Sequence, residues 1–257
     1  MDANSSAIFH HPFTMVVSGS TGSGKTEWVM RLIRHLNTLT DKGDSKSITD
    51  VTDQNSQKEQ GPQISDGKNN FIISTILYCY GEINKNVILL KKLELSANKL
   101  DGKEIRTFCG VPTLEMIHNE ANNSHGRLLL ILDDLMGAAK STFLDTIFAL
   151  GSHNWGMSVI LVTQHLFGKE LRIARNNTHY IVLLRNPSGA LQIRNLATQL
   201  FPGNVPYFME AFADSTRERF SYLLIDMHPH TNDSMRLKCN IYPDEGWTTL
   251  YLPKHQT

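Results

Sequence analysis

Cysteine is scarce in this sequence. Its three cysteines lie far apart, are odd in number and form no C-x-x-C pair: Cys79, Cys109 and Cys239. This pattern argues against both a disulfide framework and a cysteine-ligated zinc site. Histidines are more numerous, but His10 and His11 are adjacent and therefore point to different faces, while His228 and His230 have no carboxylate at ligand spacing. We expect these histidines to be solvated.

Long apolar runs and net charge are missing as well. No run reaches the roughly 18 apolar residues of a membrane-spanning helix, and residues 1–12 lack the basic and apolar regions of a secretory signal. The 25 lysines and arginines balance 25 aspartates and glutamates, so no global field attracts the chain to nucleic acid or lipid. We expect a soluble intracellular protein with no membrane partner, in which any DNA contact is local.

Length and composition predict one packed core. The chain has 257 residues, of which 40% are hydrophobic and 19% are charged, so it is too apolar for a disordered protein. This length suits a single α/β domain over residues 1–257. Between Asp41 and Asn70 only Ile48, Val51 and Ile64 are strongly hydrophobic. We therefore predict a disordered insertion at residues 41–70.

Short apolar runs alternate with helical patterns along the chain. The runs predict strands at Phe13–Ser18, Phe71–Tyr80, Leu128–Leu132, Ser158–Val162 and Tyr180–Leu184. Apolar residues at helical spacing predict helices at Thr26–Leu36, Leu114–Asn119 and Phe143–Leu150, the last stopped by Gly151. The alternation predicts an α/β fold with a mostly parallel central sheet and helices on both faces. Tyr222–Asp226 and the residues after it are expected to complete the sheet edge as hairpin-like strands.

A P-loop motif follows the first predicted strand and precedes the first helix. The pattern G-x-x-x-x-G-K-[ST] is matched in full by Gly19, Ser20, Thr21, Gly22, Ser23, Gly24, Lys25 and Thr26. In such a loop the backbone N–H groups converge on phosphate oxygens at a helix N-terminus. We predict ATP binding here, with Lys25 reaching the β- and γ-phosphates and Thr26 offering its hydroxyl to Mg²⁺.

Acidic and amide side chains follow two later strands. Asp133 comes directly after Leu128–Leu132 and is our candidate for holding Mg²⁺. Asp134 is the candidate general base for the attacking water, at a position where many motor ATPases carry glutamate. Gln164 ends the next apolar strand, where its amide could contact the γ-phosphate or position water.

Several arginines downstream could act on a neighbouring subunit's nucleotide. The candidates for such an arginine finger are Arg172, Arg175, Arg185 and Arg194. A finger of this kind accelerates hydrolysis by roughly 10³- to 10⁵-fold. Because any one of these arginines could equally be surface charge, the sequence leaves their identity open.

Together these segments resemble the poxvirus-type DNA-packaging ATPases of the FtsK/HerA superfamily, which also occur in Polinton-like elements. The likeness covers most of the chain, and its most specific part runs from Thr163 to Asp226. It is carried by Gly19–Thr26, Leu128–Asp134, the strand ending in Thr163 and Gln164, the block 177–187, Gln192 and Ile193, Leu200–Gly203 and Tyr222–Asp226. The chain departs from the family in its 41–70 insertion and in showing no obvious appended DNA-binding domain.

The resemblance implies a RecA-like fold in which the strand ending at Gln164 separates the P-loop strand from the Asp133 strand. It further implies a pentameric or hexameric ring with ATP between subunits and double-stranded DNA in the centre. Packaging a viral genome would bring the protein to a capsid or portal vertex. It would then reside in the host cell during virus assembly, and a place in the virion stays open.

Two other functions are compatible with a P-loop. One is a kinase of a nucleoside or another small metabolite, although the stretch from Ile193 to Phe208 lacks the dense arginine lid that such kinases usually carry. The other is a nucleotide-gated assembly protein that binds ATP without hydrolysing it. From the residues alone, the sequence predicts a P-loop NTPase that carries its own catalytic base.

Overall fold

The computed structural model describes residues 7–42, 72–135, 137–168 and 171–253. Most of the predicted insertion, residues 43–70, lies outside the described residues. Its first two residues, Asp41 and Lys42, belong to a short strand. Among the described helices, none combines the length and apolarity that a membrane span requires.

One nine-stranded sheet organises the described part of the chain. A separate parallel pair joins β1 (Phe9–His11) to β3 (Thr40–Lys42). The strands of the large sheet are β2 (Thr14–Ser18), β4 (Thr75–Tyr80), β5 (Glu104–Cys109), β6 (Leu128–Asp133), β7 (Ser158–Thr163), β8 (Tyr180–Leu184), β9 (Tyr222–Asp226), β10 (Leu237–Cys239) and β11 (Thr249–Tyr251). Across the sheet their order is β5-β4-β6-β7-β2-β8-β9-β10-β11.

The strand order identifies a RecA-like α/β fold. From β5 to β8 all neighbours pair in parallel, and β9, β10 and β11 add antiparallel strands at one edge. Strand β7 lies between β2 and β6, with Val162 in register with both Val17 and Asp133. The predicted parallel sheet, its antiparallel edge and the separation of the two motif strands are therefore confirmed.

Helices cover both faces of the sheet and bury its two sides. They are α1 (Lys25–Leu39), α2 (Lys85–Leu95), α3 (Leu114–Asn123), α4 (Ser141–Thr146), α5 (Ser152–Asn154), α6 (Arg172–Asn176), α7 (Ala190–Leu200) and α8 (Val205–Ser215). Side chains alternate between faces along each strand, so Val17 belongs to the core cluster that contains the buried residues of α1. Val16 belongs to the opposite cluster, which contains those of α7 and α8. The P-loop helix is held against the sheet by its buried stripe, which includes Trp28 and Leu32.

The polar stretch before Leu114 contains two elements that the sequence did not predict. Helix α2 begins after Asn84, whose side chain accepts hydrogen bonds from the N–H groups of Asn86 and Val87. Strand β5 buries only Ile105 fully, because it is the edge strand of the sheet. An edge strand needs little apolar content, so its sequence resembles a loop. The preceding strand begins at Thr75 rather than Phe71.

The sequence predicted that Gly151 stops a helix, and this prediction is wrong. Helix α4 passes into a π-helical turn, Ile147–Gly151, and then into α5, with Gly151 itself in a right-handed helical conformation. A Cβ atom at Gly151 would lie 2.5 Å from Cε of Met157. A side chain at this position would therefore require the end of the Met157 side chain to shift.

His11 is buried, contrary to the prediction that it is solvated. Its Nδ1 lies 2.6 Å from Oγ of Ser158, and its Nε2 lies 2.8 Å from the carbonyl oxygen of Gly126. Both partners are more than 100 residues away along the chain, so this environment was not visible in the local sequence.

Candidate nucleotide-binding site

The P-loop connects β2 to α1 at the carboxyl edge of the sheet. Gly22 and Gly24 have φ angles of 76° and 99°, a left-handed conformation that favours glycine. Gly24 is the N-cap of α1 and supplies no side-chain cap, so no side chain satisfies the first amides of the helix. The loop and the helix N-terminus therefore present backbone donors and partial positive charge to an anion.

Lys25 places its ammonium group inside the curve of this loop. Its Nζ donates to the carbonyl oxygens of Gly19 and Ser20, each at 2.9 Å. Burial lowers the pKa of Lys25, while the nearby carboxylates of Asp134 and Asp133 oppose that shift. Both acids therefore act electrostatically on the ammonium group, although 108 and 109 positions separate them from it in the sequence. Anionic phosphate oxygens would be stronger acceptors than the two carbonyls.

Asp133 ends β6 with its carboxylate directed at α1. Its Oδ2 accepts hydrogen bonds from Oγ1 of Thr26 at 3.1 Å and from the hydroxyl of Tyr78 at 2.6 Å. The residue is only 4% exposed, and this burial raises its carboxyl pKa, against the opposing effect of the two hydroxyl donors. A buried carboxylate of this kind gains most when a cation binds beside it.

Asp134 turns out of the strand into a different environment. Its φ angle is 56°, in the left-handed region, and its side chain is exposed. The turn brings the Asp134 carbonyl oxygen to 2.8 Å from where a Cβ atom of Gly81 would lie. Gly81 therefore makes room for the turn that separates the two adjacent acids.

Gln164 reaches the P-loop from β7. Its Oε1 accepts a hydrogen bond from Oγ1 of the exposed Thr21 at 3.2 Å. On the other side of β2, the carbonyl oxygen of Arg185 accepts from the Ser20 hydroxyl at 3.1 Å and from the Ser20 amide at 3.4 Å. The loop is thus held between the ends of the strands that flank it.

The arginine candidates differ in their contacts and exposure. Arg175 is committed within its own chain: its Nη1 donates to the carbonyl oxygen of Leu166 at 2.9 Å, and its guanidinium lies 4.3 Å from the centre of the Phe167 ring. Arg172, Arg185 and Arg194 have exposed side chains. Arg185 lies beside its own P-loop, whereas Arg172 begins α6.

Two residues of the site could not be predicted from the sequence. Tyr78, which donates to Asp133, lies in β4, and only the parallel pairing of Tyr80 with Asp133 brings the two strands together. Phe220 contacts the P-loop, because a Cβ atom on Gly24 would lie 2.7 Å from Cδ1 of its ring. A tyrosine in an apolar strand and an aromatic residue in a polar turn carry no local signal of either role.

The donor set at Thr26 and Asp133 fits a hard divalent cation. Magnesium prefers oxygen ligands and is usually held by one or two carboxylates together with substrate phosphates and water. A hydroxyl and a carboxylate 3.1 Å apart meet that pattern. Among the described residues, no group of three or more histidine, cysteine, aspartate or glutamate side chains could hold a metal ion by itself. Phosphate and water would have to complete the coordination.

Comparison with known proteins identifies no family. No family model matches the chain, and no curated protein matches it. Among solved structures, it is similar to EssC (ATPases 2 and 3) from Geobacillus thermodenitrificans, with 10% identity and a TM-score of 0.42 over 70% of this chain and 33% of that one. It is also similar to the KaiC-like protein PH0186 from Pyrococcus horikoshii OT3, with 12% identity and a TM-score of 0.42 over 90% and 86% of the two chains. The assignment to the P-loop NTPase fold therefore relies on the strand order and the loop geometry.

Proposed function

We propose that this protein is an ATP-hydrolysing motor subunit that moves double-stranded DNA and packages a viral genome, in the manner of the poxvirus-type ATPases of the FtsK/HerA superfamily. One observation carries the proposal: the P-loop lysine, two consecutive acids and an amide from the intervening strand meet at one sheet edge. These residues are Lys25, Asp133, Asp134 and Gln164. The sequence resemblance supplies the DNA-packaging part.

Each side chain has a separate task in hydrolysis. Lys25 and the first amides of α1 bind the phosphate oxygens, and Thr26 with Asp133 would hold Mg²⁺, which supplies charge stabilisation when bound. Asp134 accepts a proton from the attacking water as its oxygen bonds to the γ-phosphorus and the bond to the β-phosphate oxygen breaks. ADP and phosphate are the products, and the proton passes to solvent from the exposed carboxyl.

Coupling to DNA is supported by the loops that begin at these residues. The chain after β6 continues from Asp134 towards the exposed Lys140, and the chain after β7 continues from Gln164 through the exposed His165. Both loops border a cavity of about 590 Å³. A change at the γ-phosphate would therefore act first on these two loops, and we propose that they contact the DNA backbone.

A ring of subunits accounts for the neutral net charge. Each subunit would contribute only a few basic side chains, and a pentamer or hexamer sums them around a central pore. In such a ring an exposed arginine of one subunit completes the site of its neighbour. We propose that the ring acts at a capsid or portal vertex in the infected host cell.

The decisive experiment measures ATP hydrolysis by the purified chain with and without double-stranded DNA. Wild-type protein should hydrolyse ATP faster with DNA, and Lys25→Ala should abolish turnover under both conditions. An ATP hydrolysis rate that is the same with and without DNA would contradict translocation. Phosphoryl transfer to a nucleoside in a coupled assay would identify a kinase. Tight ATP binding without hydrolysis, even with DNA and oligomer present, would identify an assembly protein.

A further inference from the structure

We propose that Phe220 is the platform on which the base of the bound nucleotide stacks. This inference rests on the proposed nucleotide binding and adds to it the site of the nucleoside. Phe220 lies in the turn between α8 and β9, and the residue is 57% exposed. An aromatic ring left in solvent directly beside a P-loop is available for stacking.

The sheet topology indicates on which side of the loop the nucleoside emerges. Asp133 and Gln164 lie at the ends of β6 and β7, so the terminal phosphate and its cation belong on that side of β2. The nucleoside must leave the loop on the opposite side, next to β8. Tyr222 opens β9 in register with Leu184, the last residue of β8. The turn that carries Phe220 therefore lies at the same sheet edge, on the nucleoside side.

Contact with Gly24 fixes the ring at the loop. A Cβ atom at Gly24 would lie 2.7 Å from Cδ1 of Phe220, so only glycine allows the ring to approach this closely. Phe220 itself has a φ angle of 66°, which is unfavourable for a side chain of its size. The turn is held in place by the Ser221 hydroxyl, which donates to the carbonyl oxygen of Glu218 at 2.7 Å. An aromatic ring that served only to bury apolar area would be buried itself. It would also not require a left-handed backbone.

Charged and apolar surroundings on this side suit a nucleoside. Cζ of Arg219 lies over the Phe220 ring, 5.3 Å from its centre, in a cation–π contact. Arg185 and Arg217 border a neighbouring cavity of about 430 Å³ whose wall includes Ile193 and Phe212. Apolar walls with a few convergent polar groups are typical of small-molecule sites.

The test compares a ligand that has a base with one that has only phosphates. Binding of ADP and of inorganic tripolyphosphate, each with Mg²⁺, is measured by calorimetry for wild type, Phe220→Ala, Phe220→Leu and Phe220→Tyr. Leucine keeps apolar bulk against Gly24 without a π face, and tyrosine keeps the ring. The matched control is Leu191→Ala, which removes an exposed apolar side chain elsewhere, on α7.

We expect Phe220→Ala and Phe220→Leu to weaken ADP binding roughly 5- to 150-fold, the range for loss of one stacked base. Tripolyphosphate affinity should stay the same in these variants, and Phe220→Tyr and Leu191→Ala should bind ADP like wild type. The proposal is overturned if alanine and leucine leave ADP affinity unchanged, or if they weaken tripolyphosphate as much as ADP. If the wild-type protein binds ADP no more tightly than tripolyphosphate, this inference is overturned and the proposed function is not. Failure to bind either ligand would overturn the proposed function as well.

Discussion

The Thr26 hydroxyl donates to the Asp133 carboxylate at 3.1 Å and so links the first turn of α1 to the end of β6, across the intervening strand β7. The same carboxylate oxygen accepts from Tyr78 at 2.6 Å. The Thr26 oxygen also has lone pairs that could ligate Mg²⁺ while its O–H still donates to Asp133. The Tyr78 hydroxyl could likewise keep its hydrogen bond to Asp133 with Mg²⁺ bound.

Tyr78→Phe tests the supporting role of this tyrosine. Without the hydroxyl, Asp133 keeps only the Thr26 donor, so its pKa, already raised by burial, should rise further. Losing an outer partner of a metal ligand typically costs about 10- to 100-fold in metal affinity. A Mg²⁺ titration of ATP hydrolysis should therefore show a midpoint shifted upward by about this factor. An unchanged midpoint, with the protein folded, would show that Tyr78 only fills space.

Lys25→Met separates the stability of the loop from its function. Burial lowers the pKa of Lys25, which means that folding penalises its charged form. This penalty is present at neutral pH and disappears as pH rises above the lowered pKa. The variant should therefore melt at the same temperature as wild type at neutral pH, or at a higher one, while losing roughly 100-fold or more in hydrolysis rate. A clearly lower melting temperature would contradict the inferred penalty.

Asp134→Asn tests the proposed general base, with Glu82→Gln as its matched control. Glu82 is exposed and follows β4, which neighbours β6, so it is another carboxylate at the same sheet edge. Asp134→Asn should slow hydrolysis roughly 10²- to 10⁴-fold, because no group remains to take the proton from water. ATP affinity should be retained in both variants. If Glu82→Gln causes the larger loss in single-turnover assays, the base is Glu82.

Among the arginine candidates we predict that Arg172 acts on the neighbouring subunit. Its side chain is exposed at the start of α6, the first helix after Gln164. Arg175 is instead bonded to Leu166, Arg185 lies at its own P-loop, and the exposed Arg194 lies further along the chain in α7. Arg172→Ala should lower hydrolysis by roughly 10³- to 10⁵-fold. Mixing it with Lys25→Ala should restore part of the activity, since the two chains supply the missing parts at shared interfaces. A mixture as inactive as its components would rule out action between subunits. Arg175→Ala should instead lower the melting temperature.

The central strands could be predicted because they are buried on both sides. Runs such as Leu128–Leu132 and Tyr180–Leu184 are continuously apolar, and the structure forms strands there. Edge strand β5 and the helix before it could not be predicted in the same way. Half-exposed elements contain many polar residues, and Asn84 as an N-cap is a weak signal without an apolar stripe behind it. The antiparallel strands after Asp226 are short and were predicted only as hairpin-like.

The P-loop was determined by the sequence alone, because its strand, glycines, lysine and helix are contiguous and their geometry follows from local backbone preferences. The two acids after β6 and the glutamine after β7 were also visible in the sequence, each at the end of an apolar run. Only the tertiary structure decided which of these ends meet, since that depends on strand order and parallel register. The hydrogen bond of Tyr78 to Asp133 spans 55 residues, and the ring of Phe220 reaches Gly24 through sheet pairing of β9 with β8. Such contacts arise from packing between distant segments, and no local pattern encodes them.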